Sequence, residues 1–261
     1  MAHIAFSSTR QPAANAIFSR AGIGAPVAIE LLPFTVRPVL AEADLHKAVA
    51  VRHAAYARHL PDFARSLEQP EAADHDADTM ILLAESKADG TVLGSVRIQT
   101  NFRQPLHIEA SVGLPLWLAT QRLAEVTRLG IVEGRIGRQV KLALIKACFE
   151  HCEQNGVDTA VVSGRAPIDR QYEQLLFTDV FASREPVTLR HVGNLPHRIM
   201  YFDIASGQER WEAACHPLLD FFCRTRHPDI DLGRHVTSVW KHGLPRGQQA
   251  AGAVVVVGLA A

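Results

Sequence analysis

The chain lacks an excess of charge of either sign. Its 261 residues include 27 lysines and arginines and 27 aspartates and glutamates. No overall positive field therefore favours nucleic acid, and we expect no nucleic-acid partner. The sequence also lacks an apolar run long enough to cross a bilayer, so we predict no transmembrane helix. Arg10 and Arg20 accompany no continuous apolar core, and we predict no signal peptide.

Cysteine is scarce. The chain has four cysteines, at Cys148, Cys152, Cys215 and Cys223. Cys148 and Cys152 are one helical turn apart and His151 adjoins the second, but this spacing matches no standard zinc pattern, so we predict no metal site. The composition favours reduced, mostly buried thiols in a cytoplasmic protein.

Three regions differ in composition. Residues 1–30 are rich in Ala, Ser and Gly without a sustained period, which predicts a poorly ordered extension. Residues 31–204 carry the regular patterns and are expected to form the main domain. Residues 205–261 are predicted to be a helical extension with an apolar tail at 250–261. That tail is expected to pack on the domain, to add a strand or to make peripheral contact with a membrane surface.

Apolar periodicity predicts a mixed order of strands and helices. Pro38 argues that the first strand lies at a sheet edge, and Asp44 is expected to cap the first helix. Antiparallel hairpins flank one strand–helix–strand crossover, which predicts an α/β (mixed α+β) domain with a mostly antiparallel central sheet flanked by helices. The predicted strands are 34–40, 79–85, 91–100, 123–132, 157–163, 185–192 and 198–204, and the helices are 44–58, 139–154, 167–177 and 207–226.

The strand predicted at 123–132 is the most informative segment. It has the pattern of a buried strand, yet it contains Glu125 and Arg128. Burying such charges is costly unless they are paired or used. On a regular strand these positions point to opposite faces; a β-bulge there would bring the two side chains together, and bulges are common beside active sites.

A basic, glycine-containing turn follows this strand. Gly134, Arg135, Gly137 and Arg138 precede the predicted helix 139–154. Backbone N–H groups and positive charge at a helix start favour binding of a phosphate. The alternative is a solvent-exposed turn without a ligand.

Several motifs along the chain resemble those of one enzyme family. The helix segment Arg52–Tyr56 (RHAAY), the strand Gly94–Thr100 (GSVRIQT), the strand segment Glu125–Arg128 (EVTR) and Asp78 are similar, in the right order, to motifs of the N-acyl amino acid synthases and acyl-homoserine lactone synthases. The resemblance covers about residues 35–204. It implies a GNAT-like acyl-CoA N-acyltransferase fold, in which an acylated pantetheine lies in a gap between strands 123–132 and 157–163.

The resemblance also implies an activity and a site. The expected reaction moves a fatty acyl group from an acyl carrier protein or acyl-CoA to the amine of an amino acid, without a permanently bound cofactor. Arg138, Lys141 and Lys146 are expected to help dock an acidic carrier protein. The implied catalytic residues are Glu125, Arg97 and Arg128, the substrate-binding residues are Arg52, Tyr56, Asp78 and Ser95, and the residues for the phosphopantetheine are Gly134, Arg135, Gly137 and Arg138.

The residues themselves leave several roles open. Glu125 either accepts a proton through water or belongs to a structural ion network. Arg97 either clamps a substrate carboxylate or pairs with Asp78 or Glu125. Tyr172 either protonates the leaving thiol, as the resemblance implies, or packs in the core.

Departures from the family patterns keep other functions open. His75 stands where the first acid of the family's D-x-x-D pair is expected, and Leu60-Pro61 occupies the region of a tryptophan found in lactone synthases. An incomplete glycine pattern around Gly137 suits a carrier-protein pantetheine, with its single phosphate, better than CoA. The alternatives are an acyl-homoserine lactone synthase, a non-catalytic acyl-pantetheine or lipid-binding module, and a plain acetyltransferase.

Overall fold

The computed structural model describes residues 27–233. Within that range no helix is both long and apolar enough to cross a membrane. The strands are Ala28–Ile29 (β1), Phe34–Pro38 (β2), Thr79–Ser86 (β3), Val92–Thr100 (β4), Leu123–Ile131 (β5), Thr159–Gly164 (β6), Thr178–Asp179 (β7), Val187–Leu189 (β8), Leu195–Asp203 (β9) and Thr225–Arg226 (β10). The α-helices are Glu42–Ala57 (α1), Pro61–Ala64 (α2), Leu116–Ala119 (α3), Gly134–Gln154 (α4), Ile168–Gln174 (α5) and Gly207–Ala213 (α6). Short 3₁₀ helices lie at Arg65–Leu67, Ala72–His75, His107–Ala110 and Arg190–Val192, and a π-helical turn lies at Asp220–Arg224.

The main sheet confirms the predicted fold class. Its strand order is β2-β3-β4-β5-β6-β9-β7, with β8 paired to β9. Neighbours are antiparallel except for β5 and β6, which are parallel and are connected through α4. The strand that contains Pro38 is the outer one, as predicted, because proline cannot donate a ladder hydrogen bond.

Helix α4 covers one face of the sheet. Its side chains Val140, Ala143, Leu144 and Ala147 are buried in the main core together with strand residues such as Val96. The helix begins five residues earlier than predicted, so the presumed turn forms its first turns. The two glycines at 134 and 137 are typical of a loop, which is why the helix was predicted to begin later. In the structure a Cβ at Gly137 would lie 1.9 Å from the carbonyl oxygen of Val132, and this close approach requires glycine.

The segment after the main domain differs from its prediction. The expected helix 207–226 ends at Ala213, and the chain then turns at Cys215, whose φ is 48°. Pro217 explains the break, because proline disfavours helical backbone in the preceding residue and lacks the N–H that a helix interior needs. The predicted cap Asp44 is also wrong, since the N-cap of α1 is Ala41 and Asp44 accepts a hydrogen bond from Arg37 Nη1 at 2.7 Å.

Strands β5 and β6 pair along part of their length and then separate. Their register runs from Leu123 opposite Thr159 to Val126 opposite Val162. Immediately beyond, β5 has a bulge, since its pairing with β4 passes from Thr127 directly to Gly130 and Arg128 has a φ of 55°. This bulge does not bring Glu125 and Arg128 together, because Arg128 binds Glu71 and Glu125 lies next to His191. A bulge bends the strand and ends regular pairing, which opens a gap at the centre of the sheet.

Of the extensions that the sequence predicted, most of residues 1–30 and the tail at 250–261 lie outside the described residues. Residues 28–29 form β1, which pairs in parallel with β10.

Candidate active site

A cavity of about 820 Å³ occupies the gap between β5 and β6. It passes from the α1 side of the sheet to the α4 side, because both helices contribute to its wall. Its wall includes Tyr56, His59, Phe63, Val126, Thr127, Arg128, Glu133, Gly134, Arg138, Lys141, Leu142, Ile145, Gly164, Arg165, Tyr172, Leu175, His197, His216 and Leu218.

The α4 end of the cavity carries uncompensated positive charge. Arg138 is exposed at the second turn of a 21-residue helix, and Lys141 lies one turn further on. Neither has a carboxylate partner within residues 27–233, although Lys141 Nζ donates to Gln171 Oε1 at 2.9 Å. Burial and the neighbouring Arg138 lower the pKa of Lys141. A helix N-terminus with two such cations attracts an anion.

The predicted phosphate residues separate into two groups. Gly134 and Arg138 line the cavity, and Gly134 begins α4 with a φ of 87°. Arg135 is exposed on the helix and is not part of the cavity wall. Gly137 is buried against the Val132 carbonyl. The absence of a side chain there allows β5 and α4 to pack closely at the corner between them.

A buried ion network lies on the face of the sheet that α1 covers. Glu71 and Asp74 hold the guanidinium groups of Arg52, Arg97 and Arg128. Arg52 binds Asp74 through two parallel hydrogen bonds of 3.0 and 2.8 Å. Arg128 binds Glu71 in the same way, with both bonds at 2.6 Å, and also donates to the carbonyl oxygen of His191.

The two carboxylates of this network are charged. Burial alone would raise their pKa values, but the guanidinium groups outweigh it, and the pKa values of Glu71 and Asp74 are lowered. Three arginines then face two acids. Among the described residues, Arg128 Nη1 and Arg52 Nε have no hydrogen-bond acceptor.

The network corrects the partner that the sequence suggested for Arg97. Arg97 is 1% exposed and binds Glu71 and Asp74 through Nη1, at 3.0 and 3.1 Å, and Thr127 through Nε. The expected partner Asp78 instead accepts the backbone N–H of Arg103 at 2.9 Å and pairs with that side chain. Asp78 therefore does not join the arginines, and the acidic pair with the family spacing is Glu71 and Asp74.

Glu125 is enclosed next to the cavity but is not part of its wall. It is 0% exposed, accepts the N–H of Ile108 at 3.1 Å, and lies 3.1 Å from His191 Nε2. Burial raises its pKa, but the contacts with His191 and Ile108 outweigh that effect and lower it. Glu125 is thus a buried carboxylate behind the wall, and substrate in the cavity does not reach it in this conformation.

Comparison with solved structures identifies the fold. The N-acyl amino acid synthase FeeM from uncultured soil microbes superposes with a TM-score of 0.51 and 16% identity, over 72% of this chain and 96% of FeeM. The CoA-dependent acyl-homoserine lactone synthase BjaI, solved with MTA, superposes with a TM-score of 0.52 and 18% identity, over 79% of this chain and 97% of BjaI. The chain has a GNAT-like acyltransferase fold.

The resemblance inferred from the motifs is thereby confirmed at the level of the fold. BjaI solved with SAM and isopentyl-CoA gives a TM-score of 0.51 at 19% identity, again over 79% of this chain and 97% of BjaI. Sequence comparison alone finds no matching protein-family profile and no matching curated protein. The GNAT-like fold is therefore evident from the three-dimensional structure rather than from overall sequence similarity.

The remaining predicted residues have distinct positions in the GNAT-like fold. Ser95 is buried and donates to the carbonyl oxygen of Ala48 at 3.1 Å, so it ties β4 to α1. Tyr56 lies on the cavity wall and contacts Phe63 edge to face, with 5.8 Å between ring centroids. Tyr172 on α5 also lines the cavity, and burial raises the pKa of its hydroxyl, which stays protonated.

Sequence reasoning missed several residues of this region. Glu71 and Asp74 belong to a loop with several acids, and nothing local distinguishes them from the others. Their separation of three residues equals that of the D-x-x-D pair named in the sequence analysis. His191, His197 and Arg165 carry no local pattern that predicts a role. They meet the cavity region because distant segments are brought together by the β6–β9 ladder and by the 3₁₀ helix that precedes β9.

Proposed function

We propose that this protein is an N-acyltransferase that moves a fatty acyl group from an acyl carrier protein or acyl-CoA to the amine of an amino acid. The observation that carries the proposal is the cavity at the break between β5 and β6. It has cations at the start of α4 and apolar side chains further along the same helix, which suits a thioester whose arm ends in a phosphate. The GNAT-like fold supports the same class of reaction.

The donor is proposed to enter along α4. Its phosphate would meet the N–H groups near Gly134 and the charges of Arg138 and Lys141, which have no acidic partner within residues 27–233. Lys146 does not belong to this surface, contrary to the sequence-based expectation. It is 3% exposed and donates to the carbonyl oxygen of Phe221 at 2.8 Å, so it anchors the chain after α6.

The acyl chain and the leaving sulfur are proposed to lie deeper in the cavity. Leu142, Ile145, Leu175 and Leu218 supply apolar wall there. Burying an acyl chain against such surface is favourable by about 0.8 kcal/mol for each methylene group. Tyr172 is protonated and lines the same space, so it is the proposed acid for the thiolate that leaves when the C–S bond breaks.

The acceptor amino acid requires a cation for its carboxylate. Arg97 cannot fill that role in this conformation, because it is buried in the ion network. Arg165, which directly follows β6, lines the cavity, and its guanidinium has no hydrogen bond or ion pair to the residues that the structure describes. We assign it the acceptor carboxylate, which a guanidinium can bind through two parallel hydrogen bonds.

The test of this function uses purified protein, a long-chain acyl donor and single amino acids. We expect mass spectrometry to detect an N-acyl amino acid together with an equimolar amount of free donor thiol. Acyl-CoA and acyl carrier protein are compared as donors. Thioester hydrolysis without amide formation, with every amino acid tested, would contradict the proposal.

Acyl-homoserine lactone synthesis is a second candidate, because BjaI shares the fold to the same degree as FeeM. Glu71 and Asp74 argue against it, since the arginines already occupy both carboxylates. Addition of S-adenosylmethionine as the acceptor separates the two candidates, because lactone formation would favour the second.

Replacing Arg165 by Gln is expected to raise the KM for the amino acid by about 10- to 100-fold, because a hydrogen bond to a charged group is worth about 1.5–3 kcal/mol. The corresponding amine without the carboxylate should be acylated equally well by both proteins. Steady-state kinetics with this pair of acceptors is the measurement. Arg170→Gln, which changes an exposed arginine of α5, is the matched control. An equal effect on both acceptors would refute the assignment.

A further inference from the structure

Amide formation leaves a proton that some group must accept. The attacking amine nitrogen carries one proton too many once it has bonded to the thioester carbonyl. Glu125, the candidate from the sequence, lies behind the cavity wall. We propose that Nε2 of His197, on the cavity wall, accepts this proton as the general base. This inference rests on the proposed function and adds a catalytic residue to it.

The other histidines, the carboxylate and Tyr172 on the described wall are unsuited to this role. Both ring nitrogens of His216 are used, since Nε2 lies 2.7 Å from the carbonyl oxygen of Gln174 and Nδ1 accepts the N–H of Leu218. His59 is exposed to solvent. The wall carboxylate Glu133 is also exposed and lies 3.5 Å from the guanidinium of Arg58. Tyr172 is protonated and suits the opposite role of acid.

The position of His197 fixes which of its nitrogens is basic. Its Nδ1 lies 2.9 Å from the carbonyl oxygen of Leu195. A carbonyl oxygen only accepts hydrogen bonds, so Nδ1 carries the hydrogen and donates it. In the neutral ring Nε2 then has a free lone pair. Nε2 has no partner among the described residues, and the ring is 8% exposed on the cavity wall.

The surroundings of His197 keep it neutral before the reaction. Burial lowers its pKa, the hydrogen bond to Leu195 has the opposite effect, and electrostatic interactions with Arg165, His191 and Arg128 lower it further. The resulting pKa of His197 lies below the ordinary value of 6.5. The ring is therefore unprotonated near neutral pH and becomes protonated, and unable to act as a base, as the pH falls through the lowered pKa.

The proposed step balances as follows. The neutral amine nitrogen attacks the thioester carbon, the N–C bond forms, and the amine proton passes to His197 Nε2. The C–S bond then breaks, and the sulfur takes a proton from the Tyr172 hydroxyl. The proton on His197 returns through water to the tyrosinate. The products are the amide and the free thiol, and both side chains recover their starting states.

The main test compares wild type with His197→Asn. The asparagine amide can still donate to the Leu195 carbonyl, but it places no base at the position of Nε2. We expect kcat to fall by about 10²- to 10⁴-fold, the usual contribution of a general base. The KM for the acyl donor should stay unchanged. His46→Gln, which removes an exposed histidine of α1, is the control.

The pH dependence of kcat provides a second readout. Aminooxyacetate serves as the acceptor, because the adjacent oxygen makes its nucleophilic nitrogen much less basic than the amine of an amino acid. Wild type should lose kcat towards low pH, and the loss should be absent in His197→Asn. Added imidazole should restore part of the activity of His197→Ala.

Two outcomes overturn the inference and leave the proposed function standing. One is a wild-type kcat for aminooxyacetate that does not fall at low pH, which decides the matter even if both variants fail to fold. The other is a folded His197→Asn protein with wild-type kcat and pH profile. If wild type forms no N-acyl product with any amino acid, the proposed function itself fails.

Discussion

Replacing Glu71 by Gln is expected to lower the free energy of unfolding by about 3–5 kcal/mol, which is the usual cost of removing one partner from a buried ion pair. Glu71 contacts all three buried arginines of the network, and its loss would leave Asp74 alone to balance them. Arg128 would lose both of its carboxylate hydrogen bonds. The measurement is the midpoint of chemical denaturation, converted to a free energy with the measured slope.

The matched control for this prediction is Glu68→Gln. Glu68 is an exposed acid of the same segment and lies 4.0 Å from His53, so its replacement should change stability by no more than about 0.5 kcal/mol. The double variant Glu71→Gln with Arg128→Gln should recover part of the loss, because it removes a cation that would otherwise be unpaired. Similar stabilities for Glu71→Gln and Glu68→Gln would contradict the charge balance described here.

The same network predicts how stability depends on pH. The folded-state pKa values of Glu71 and Asp74 are lowered from the ordinary 4.5 and 3.8. The contribution of these two carboxylates to the free energy of unfolding is therefore fully present above their ordinary pKa values. It is lost as the pH falls through their lowered folded-state pKa values. Acid unfolding of Glu71→Gln should show a weaker pH dependence than that of wild type.

Replacing Tyr172 by Phe is expected to lower kcat for an alkyl thioester donor by about 10²- to 10⁴-fold. Tyr172 lies on the cavity wall, and the raised pKa of its hydroxyl keeps the proton available for the leaving sulfur. Phenylalanine keeps the ring contact with Phe177, whose centroid is 5.5 Å away, so the fold should persist. Tyr201→Phe is the control, because Tyr201 packs on Trp117 and is not part of the cavity wall.

A change of leaving group makes this prediction specific to acid catalysis. An aryl thioester releases a more acidic thiol, which needs less help from a proton donor. We therefore expect the loss of kcat in Tyr172→Phe to be much smaller with the aryl thioester than with the alkyl thioester. An equal loss with the alkyl and the aryl donor would instead indicate a packing role for Tyr172.

The order of strands and helices along the chain was largely predictable because it depends on local patterns. Apolar runs, the hairpin turn around Gly90 and one long amphipathic helix were enough to predict β3, β4, β5 and α4. Two charges in a buried strand indicated a place where a bulge could lie, but the bulge leaves Arg128 beside Glu71 and Glu125 beside His191 instead of joining the two. The end of α6 at Ala213 was not predicted, since the helical pattern of the sequence continues past Pro217 although the helix does not.

The site was predictable in its arginines but not in their partners. Arg52, Arg97 and Arg128 lie on regular elements with recognisable motifs. Their partners come from the loop between α1 and β3, which contains several acids, and only the fold selects Glu71 and Asp74 over Asp78. The enclosure of Glu125 likewise depends on His191, a residue far along the chain whose contact no local pattern indicates.

The proposed function requires a thioester arm to occupy the break between β5 and β6. The most direct measurement is a crystal structure with a long-chain acyl-pantetheine phosphate in which a thioether replaces the thioester. We predict density that runs from Gly134 and Arg138 at the start of α4, past Val126 and Gly164, to the Tyr172 hydroxyl at the sulfur. A ligand bound elsewhere, or an empty cavity at a ligand concentration that saturates the protein in solution, would contradict the claim.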